Sequence, residues 1–84
     1  METCMITFRS VTPAQRGEEL LRKFGMACQL QRTPRQIAEQ GCGYSLRLRR
    51  EQLPQAVELM RSRGIAFRKA YALREGGKTE EIRL

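Results

Sequence analysis

The chain has no histidine and no tryptophan, and all nine of its acids are glutamate. Without histidine it lacks the side chain that shuttles protons near neutral pH and most often ligates metals. Without aspartate as well, no proton-relay triad can be assembled, which argues against hydrolysis. The three cysteines, Cys4, Cys28 and Cys42, are odd in number and widely spaced. They form no Cys-x-x-Cys pair, so they suit neither a disulfide framework nor a metal site. No apolar run approaches the roughly 18 residues of a membrane span. The opening METCMITF carries neither the basic start nor the apolar stretch of a signal peptide. The cytoplasm is the expected compartment, and no membrane partner is expected.

What is present is charge of one sign. Sixteen Lys and Arg against nine acids leave +7. From Tyr44 to Arg74 the cations are Arg47, Arg49, Arg50, Arg61, Arg63, Arg68, Lys69 and Arg74, and the anions are Glu51 and Glu58, so about six of those charges sit in this stretch. Such a field favours acidic partners, either a protein face or nucleic acid, although solvated arginines on an ordinary surface give the same count. The 84 residues are expected to form one domain over 1–84, with a core at about 4–73 and a polar, frayed tail over 74–84. A chain this short has no room for a deep substrate cavity, which places any reactive group on a surface or loop.

The apolar pattern supplies the order of elements. Cys4, Ile6 and Phe8 alternate with Met5 and Thr7, as in a half-buried strand. Thr12-Pro13-Ala14-Gln15 reads as a helix start with a capping box, and Ala14, Leu20, Leu21 and Phe24 form its stripe up to a stop at Gly25. Met26, Cys28 and Leu30 suggest a second strand, and Tyr44, Leu46 and Leu48 a third. Between them, Gln31 to Gly43 has no strand pattern. A second helix is expected from about Gln52 to Arg63, and a fourth strand over Ile65–Leu73. Leu21 to Ala27 and Met60 to Ala66 echo one another as helix end, glycine and strand start. Two such units predict an α+β, ferredoxin-like βαββαβ fold. Its four-stranded antiparallel sheet would have order 4-1-3-2, with both helices on one face. An edge strand is then free to pair across a homodimer.

On this frame Phe8, Tyr44, Phe67 and Tyr71 all fall in the helix-facing phase. The open sheet face would carry Thr7, Arg9, Ser45, Arg47, Arg49 and Arg68, able to hold phosphates but without rings to stack bases. Gly76-Gly77-Lys78-Thr79 ends like a phosphate loop, but Ala72 stands where the motif needs glycine. Cys4 and Cys28 sit in the apolar phase and read as core. Cys42 lies between Gly41 and Gly43 at the end of a long loop, where glycines leave a sulfur uncovered. Arg35, with Arg32, belongs to the same loop and would stabilise a thiolate. These residues fit a simple thiolate nucleophile, and they also fit a turn cysteine with no role.

Phe8-Arg9-Ser10, Thr33-Pro34-Arg35-Gln36-Ile37, Cys42-Gly43-Tyr44-Ser45-Leu46-Arg47 and Tyr71 together resemble the Se/S carrier protein-like family, over roughly Ile6 to Leu73. The resemblance implies that Cys42 carries sulfur or selenium as a persulfide or selenosulfide, with Pro34 and Arg35 at the family's loop positions. Where that family has a serine-rich stretch before the cysteine, this chain has Ala38-Glu39-Gln40-Gly41. On this reading the protein is a carrier rather than an enzyme, and it needs no cofactor beyond the chalcogen held on Cys42. Arg47 and Arg49 would dock an acidic sulfur donor or acceptor. The alternative is a basic module that binds nucleic acid or an acidic protein without cysteine chemistry.

Overall fold

The computed structural model describes residues 2–35, 37 and 43–84. The chain runs β1 (Thr3–Phe8), α1 (Val11–Lys23), β2 (Cys28–Arg32), β3 (Tyr44–Arg49), α2 (Leu53–Ser62), β4 (Ala70–Leu73) and β5 (Thr79–Ile82). All neighbouring strands pair antiparallel, in the order β2-β3-β1-β4-β5. Both helices lie on one face, where α1 contributes Ala14, Leu20 and Leu21 and α2 contributes Leu53, Ala56, Val57 and Met60 to a core with Cys4, Ile6, Phe8, Leu46 and Leu48.

The α+β arrangement with two helices and an antiparallel sheet is therefore found, but the expected four-stranded sheet of order 4-1-3-2 is corrected to five strands. The fifth is made by the tail. Gly76 and Gly77 both have left-handed backbone (φ 76° and 77°), which turns the chain tightly enough for Arg74 N–H to donate to Lys78 O at 2.7 Å. Thr79–Ile82 then pairs along β4, and Ile82 packs on the main core. Arg74 straps the hairpin, reaching Glu80 at 2.7 Å and Glu2 at 3.3 Å. A tail rich in charge and glycine reads as frayed because it has little apolar pattern, whereas main-chain pairing with β4 orders it.

β4 is also shorter than the expected Ile65–Leu73. Thr7 N–H donates to Lys69 O (2.8 Å), Thr7 O accepts from Arg68 N–H (2.8 Å), and Lys69 N–H donates to Thr7 Oγ1 (3.1 Å). Arg68 and Lys69 thus share one opposing residue, which is a bulge. The extra residue switches the side-chain phase, since a one-residue slip moves every following side chain to the other face. Phe67 packs against the helix-side core, while Ala70 and Ala72 take over that face. Tyr71, expected there, turns to the opposite face beside its partner Met5.

The helix boundaries shift slightly. α1 begins at Val11 with Ser10 as its cap residue, and no side chain caps it, so the expected Thr12 capping box does not form. Pro13 still lies in the first turn, where its missing N–H has no intrahelical partner to lose. Pro54 sits likewise at the start of α2. Side chains of α1 also cover the outer edge of β2: Leu30 N–H donates to Glu18 Oε2 at 3.2 Å, and Arg22 Nη2 donates to Cys28 O at 3.0 Å. Among the described residues no helix is long and apolar enough to cross a membrane.

Candidate functional site: the β2–β3 loop and the open sheet face

β2 and β3 are neighbours in the ladder, so the segment between them is the loop of a wide hairpin. Its neck is closed by Thr33 N–H donating to Gly43 O at 3.0 Å, one rung beyond the Arg32–Tyr44 pair. Just past the neck the chain turns, with Ile37 N–H donating to Pro34 O at 3.1 Å. The turn carries Ile37 onto the sheet face opposite the helices. There it is buried with Met5 and Tyr71, and Leu73 packs alongside. Ile37 is therefore held against the open face in a small second apolar cluster.

That cluster adds an apolar patch to the open face, where Thr7, Ser45, Arg47 and Arg49 stand as expected. Cross-strand partners share a face, so Gln29, Arg47, Met5, Tyr71 and Glu81 form one row, and Gln31, Ser45 and Thr7 form the next. Thr7 and Ser45 are buried, whereas Arg47 and Arg49 are exposed. Arg49 faces Glu51 at 3.6 Å. Arg35 is exposed on the loop. Arg32, by contrast, lies over the Tyr44 ring at 5.5 Å, on the helix-side face with Leu30. The structure thus brings Pro34, Gly43 and the neck together and sets Arg47 and Arg49 on the face below. Cys42 and Gly41 lie outside the described residues.

The residue pattern did not reveal two features of this face. One is the apolar cluster, whose signal is a single isoleucine in an otherwise polar loop. The other is a pair of buried hydroxyls, Thr33 Oγ1 and Ser45 Oγ, which have no hydrogen-bond partner among the described residues.

The other two thiols are core groups. Cys4 and Cys28 each pair with Leu48, on opposite sides of β3's row. Both are free and buried. Burial pushes the Cys4 thiol from 9.0 up to about 11, with Arg50 opposing. Burial also raises the Cys28 thiol, against a hydrogen bond from Arg22. Unfolded Cys4 loses its proton from about pH 9 while the folded thiol keeps it to about 11. Stability conferred by the protonated form is therefore complete below 9 and is lost as pH climbs through that window. Urea midpoints should fall between pH 9 and 11, and Cys4→Ala should lessen the fall. An unchanged slope in that variant would remove Cys4 as the cause.

Among the described residues no group of three or more His, Cys, Asp or Glu could hold a metal ion. The family model "Putative Se/S carrier protein-like" matches residues 3–72, nearly all of β1 to β4 and the whole β2–β3 loop. The chain belongs to this Se/S carrier-like family. Comparison with curated proteins and with solved structures finds no match. In this Se/S carrier-like chain the matched interval stops at Ala72, so β5 and the Arg74 strap lie beyond it.

Proposed function

We propose that this protein is a sulfur or selenium carrier whose working group is the Cys42 thiolate. Membership of the family across residues 3–72 carries the reading. It is supported by the burial of the other two thiols, whose raised proton affinity makes them poor nucleophiles at neutral pH. In the proposed step Cys42 thiolate attacks the terminal sulfur of a donor protein's persulfide. The donor's S–S bond breaks, its cysteine leaves as thiolate, and a persulfide forms on Cys42. Charge and oxidation level balance, so no outside oxidant is needed. A donor ending in selenium gives the selenosulfide by the same displacement. An acceptor thiolate removes the chalcogen in the reverse sense.

The loop residues take supporting roles. Arg35 favours the thiolate, Pro34 with Gly41 and Gly43 shapes the bend, and Arg47 and Arg49 meet the acidic surface of a donor or acceptor. The Thr33 and Ser45 hydroxyls, which have no partner among the described residues, stand in for the family's serines.

Incubation with a cysteine desulfurase and cysteine, followed by intact-mass measurement, tests the carrier. A gain of about 32 Da, one sulfur, is expected in the wild type and in a Cys4→Ala, Cys28→Ala double variant, and none in Cys42→Ser. Loading that survives Cys42→Ser ends the proposal. Native protein at about pH 8 should also take iodoacetamide at Cys42 only, and at all three cysteines once unfolded.

A further inference from the structure

The two edges of the sheet differ. On β2 two of the outward groups, Leu30 N–H and Cys28 O, are engaged by Glu18 and Arg22 of α1. On β5 nothing among the described residues engages the outward groups. The Arg74–Lys78 bond sets the register, so Glu80 and Ile82 bond toward β4, and Thr79, Glu81 and Arg83 turn their N–H and C=O groups outward.

Beside this bare edge runs a groove of about 490 Å³ between α2 and the end of β5. Its apolar lining includes Leu53, Val57 and Ile82, and its polar lining includes the cations Arg50, Arg61 and Arg83. Glu58 is the only acid in the lining, so three positive charges against one leave +2. None of the three guanidiniums has an ion pair among the described residues, although Arg61 rests over the Phe67 ring at 5.7 Å. A groove flanked by a helix and an unpaired strand edge accepts an extended peptide as an added strand. The main chain then supplies hydrogen bonds, and alternate side chains enter the groove.

We infer that the α2–β5 groove binds an extended acidic segment of a partner protein by strand addition to β5. Every second side chain faces the groove, apolar where it meets Leu53, Val57 and Ile82 and acidic where it meets Arg50, Arg61 and Arg83. Charge selects this occupant over a second copy of the chain, which would bring the same unpaired arginines to the same place. The site is separate from Cys42 chemistry and stands or falls without it.

The test uses a fluorescein-labelled peptide of about nine residues whose alternate, groove-facing positions carry leucine and glutamate in turn, titrated with the full chain at low salt. Binding is expected with a dissociation constant on the order of 10 µM, shifting the amide resonances of Thr79, Glu81 and Arg83. The Arg61→Glu, Arg83→Glu double variant, both exposed positions, should weaken it about 10-fold or more, with an unchanged thermal midpoint. Methylating alternate peptide nitrogens on the bonding side should abolish binding, and Cys42→Ser should leave it intact. Equal affinity for the lysine–leucine counterpart or for the N-methylated peptide would overturn the inference. So would the absence of binding at low salt, or a dimer that forms through this edge and excludes the peptide.

Discussion

Replacing Gly17 with leucine should destabilise the fold by about 3 kcal/mol or more, the upper end of what overpacking a core costs. Gly17 lies in the buried stripe of α1. A β-carbon built there would already stand 3.1 Å from Leu46 Cδ1, 3.2 Å from Met60 Sδ and 3.5 Å from Phe8 Cζ. Those three side chains are fully buried, so the further carbons of leucine have nowhere to go without lifting the helix off β1, β3 and α2. Gly17→Ala is a different case. The methyl asks its neighbours to yield a few tenths of an ångström, while alanine gains about 1 kcal/mol of helix propensity over glycine. The alanine variant should stay within about 0.5 kcal/mol of wild type by urea denaturation. A leucine variant as stable as the alanine one would show that α1 does not seat here.

Phe8→Ala should cost about 3–5 kcal/mol, the usual range for removing a buried aromatic ring. Against a total stability of about 5–15 kcal/mol this leaves a substantially unfolded population on mild heating. Phe8 is among the largest fully buried side chains and ends β1, opposite Tyr44. Its ring also forms part of the wall above Gly17. The two substitutions should therefore not add: the cavity left by Phe8→Ala gives a leucine at 17 room to enter. The double variant should be more stable than the sum predicts by about 1 kcal/mol or more, within the coupling range of residues that share a contact. Strict additivity would mean that the ring and the helix face do not meet.

The helix-side core was the most readable part of the sequence, because period-2 and helical apolar spacing are local signals. Cys4, Ile6 and Phe8 with Leu46 and Leu48 fixed two strands, and Ala14, Leu20, Leu21, Leu53, Ala56, Val57 and Met60 fixed the helix faces. The phase of β4 was not readable. It turns on a bulge that forms when Arg68 and Lys69 meet Thr7, and nothing in Arg68-Lys69 itself announces an extra residue. Tyr71 was accordingly assigned to the wrong face. β5 escapes notice for a related reason: in Thr79-Glu80-Glu81-Ile82 only Ile82 is apolar, and the contacts that order it come from Arg74, Glu2 and the paired glycines. For the candidate site, Pro34, Arg35 and Gly43 could be named from loop composition and family resemblance. Coverage of the open face by Ile37 could not, because it depends on where a long loop lands.

The contrast between the two sheet borders also limits how copies of this chain can join. Continuous cross-strand polymers need a donor border and an acceptor border on every molecule, so that each addition regenerates a site for the next. Here the carboxylate of Glu18 and the guanidinium of Arg22 occupy Leu30 N–H and Cys28 O on one side, which hinders extension there, while the other side is open among the described residues. A sheet with one hindered and one open border accepts a strand more readily than it passes the addition on, which works against growth into fibres.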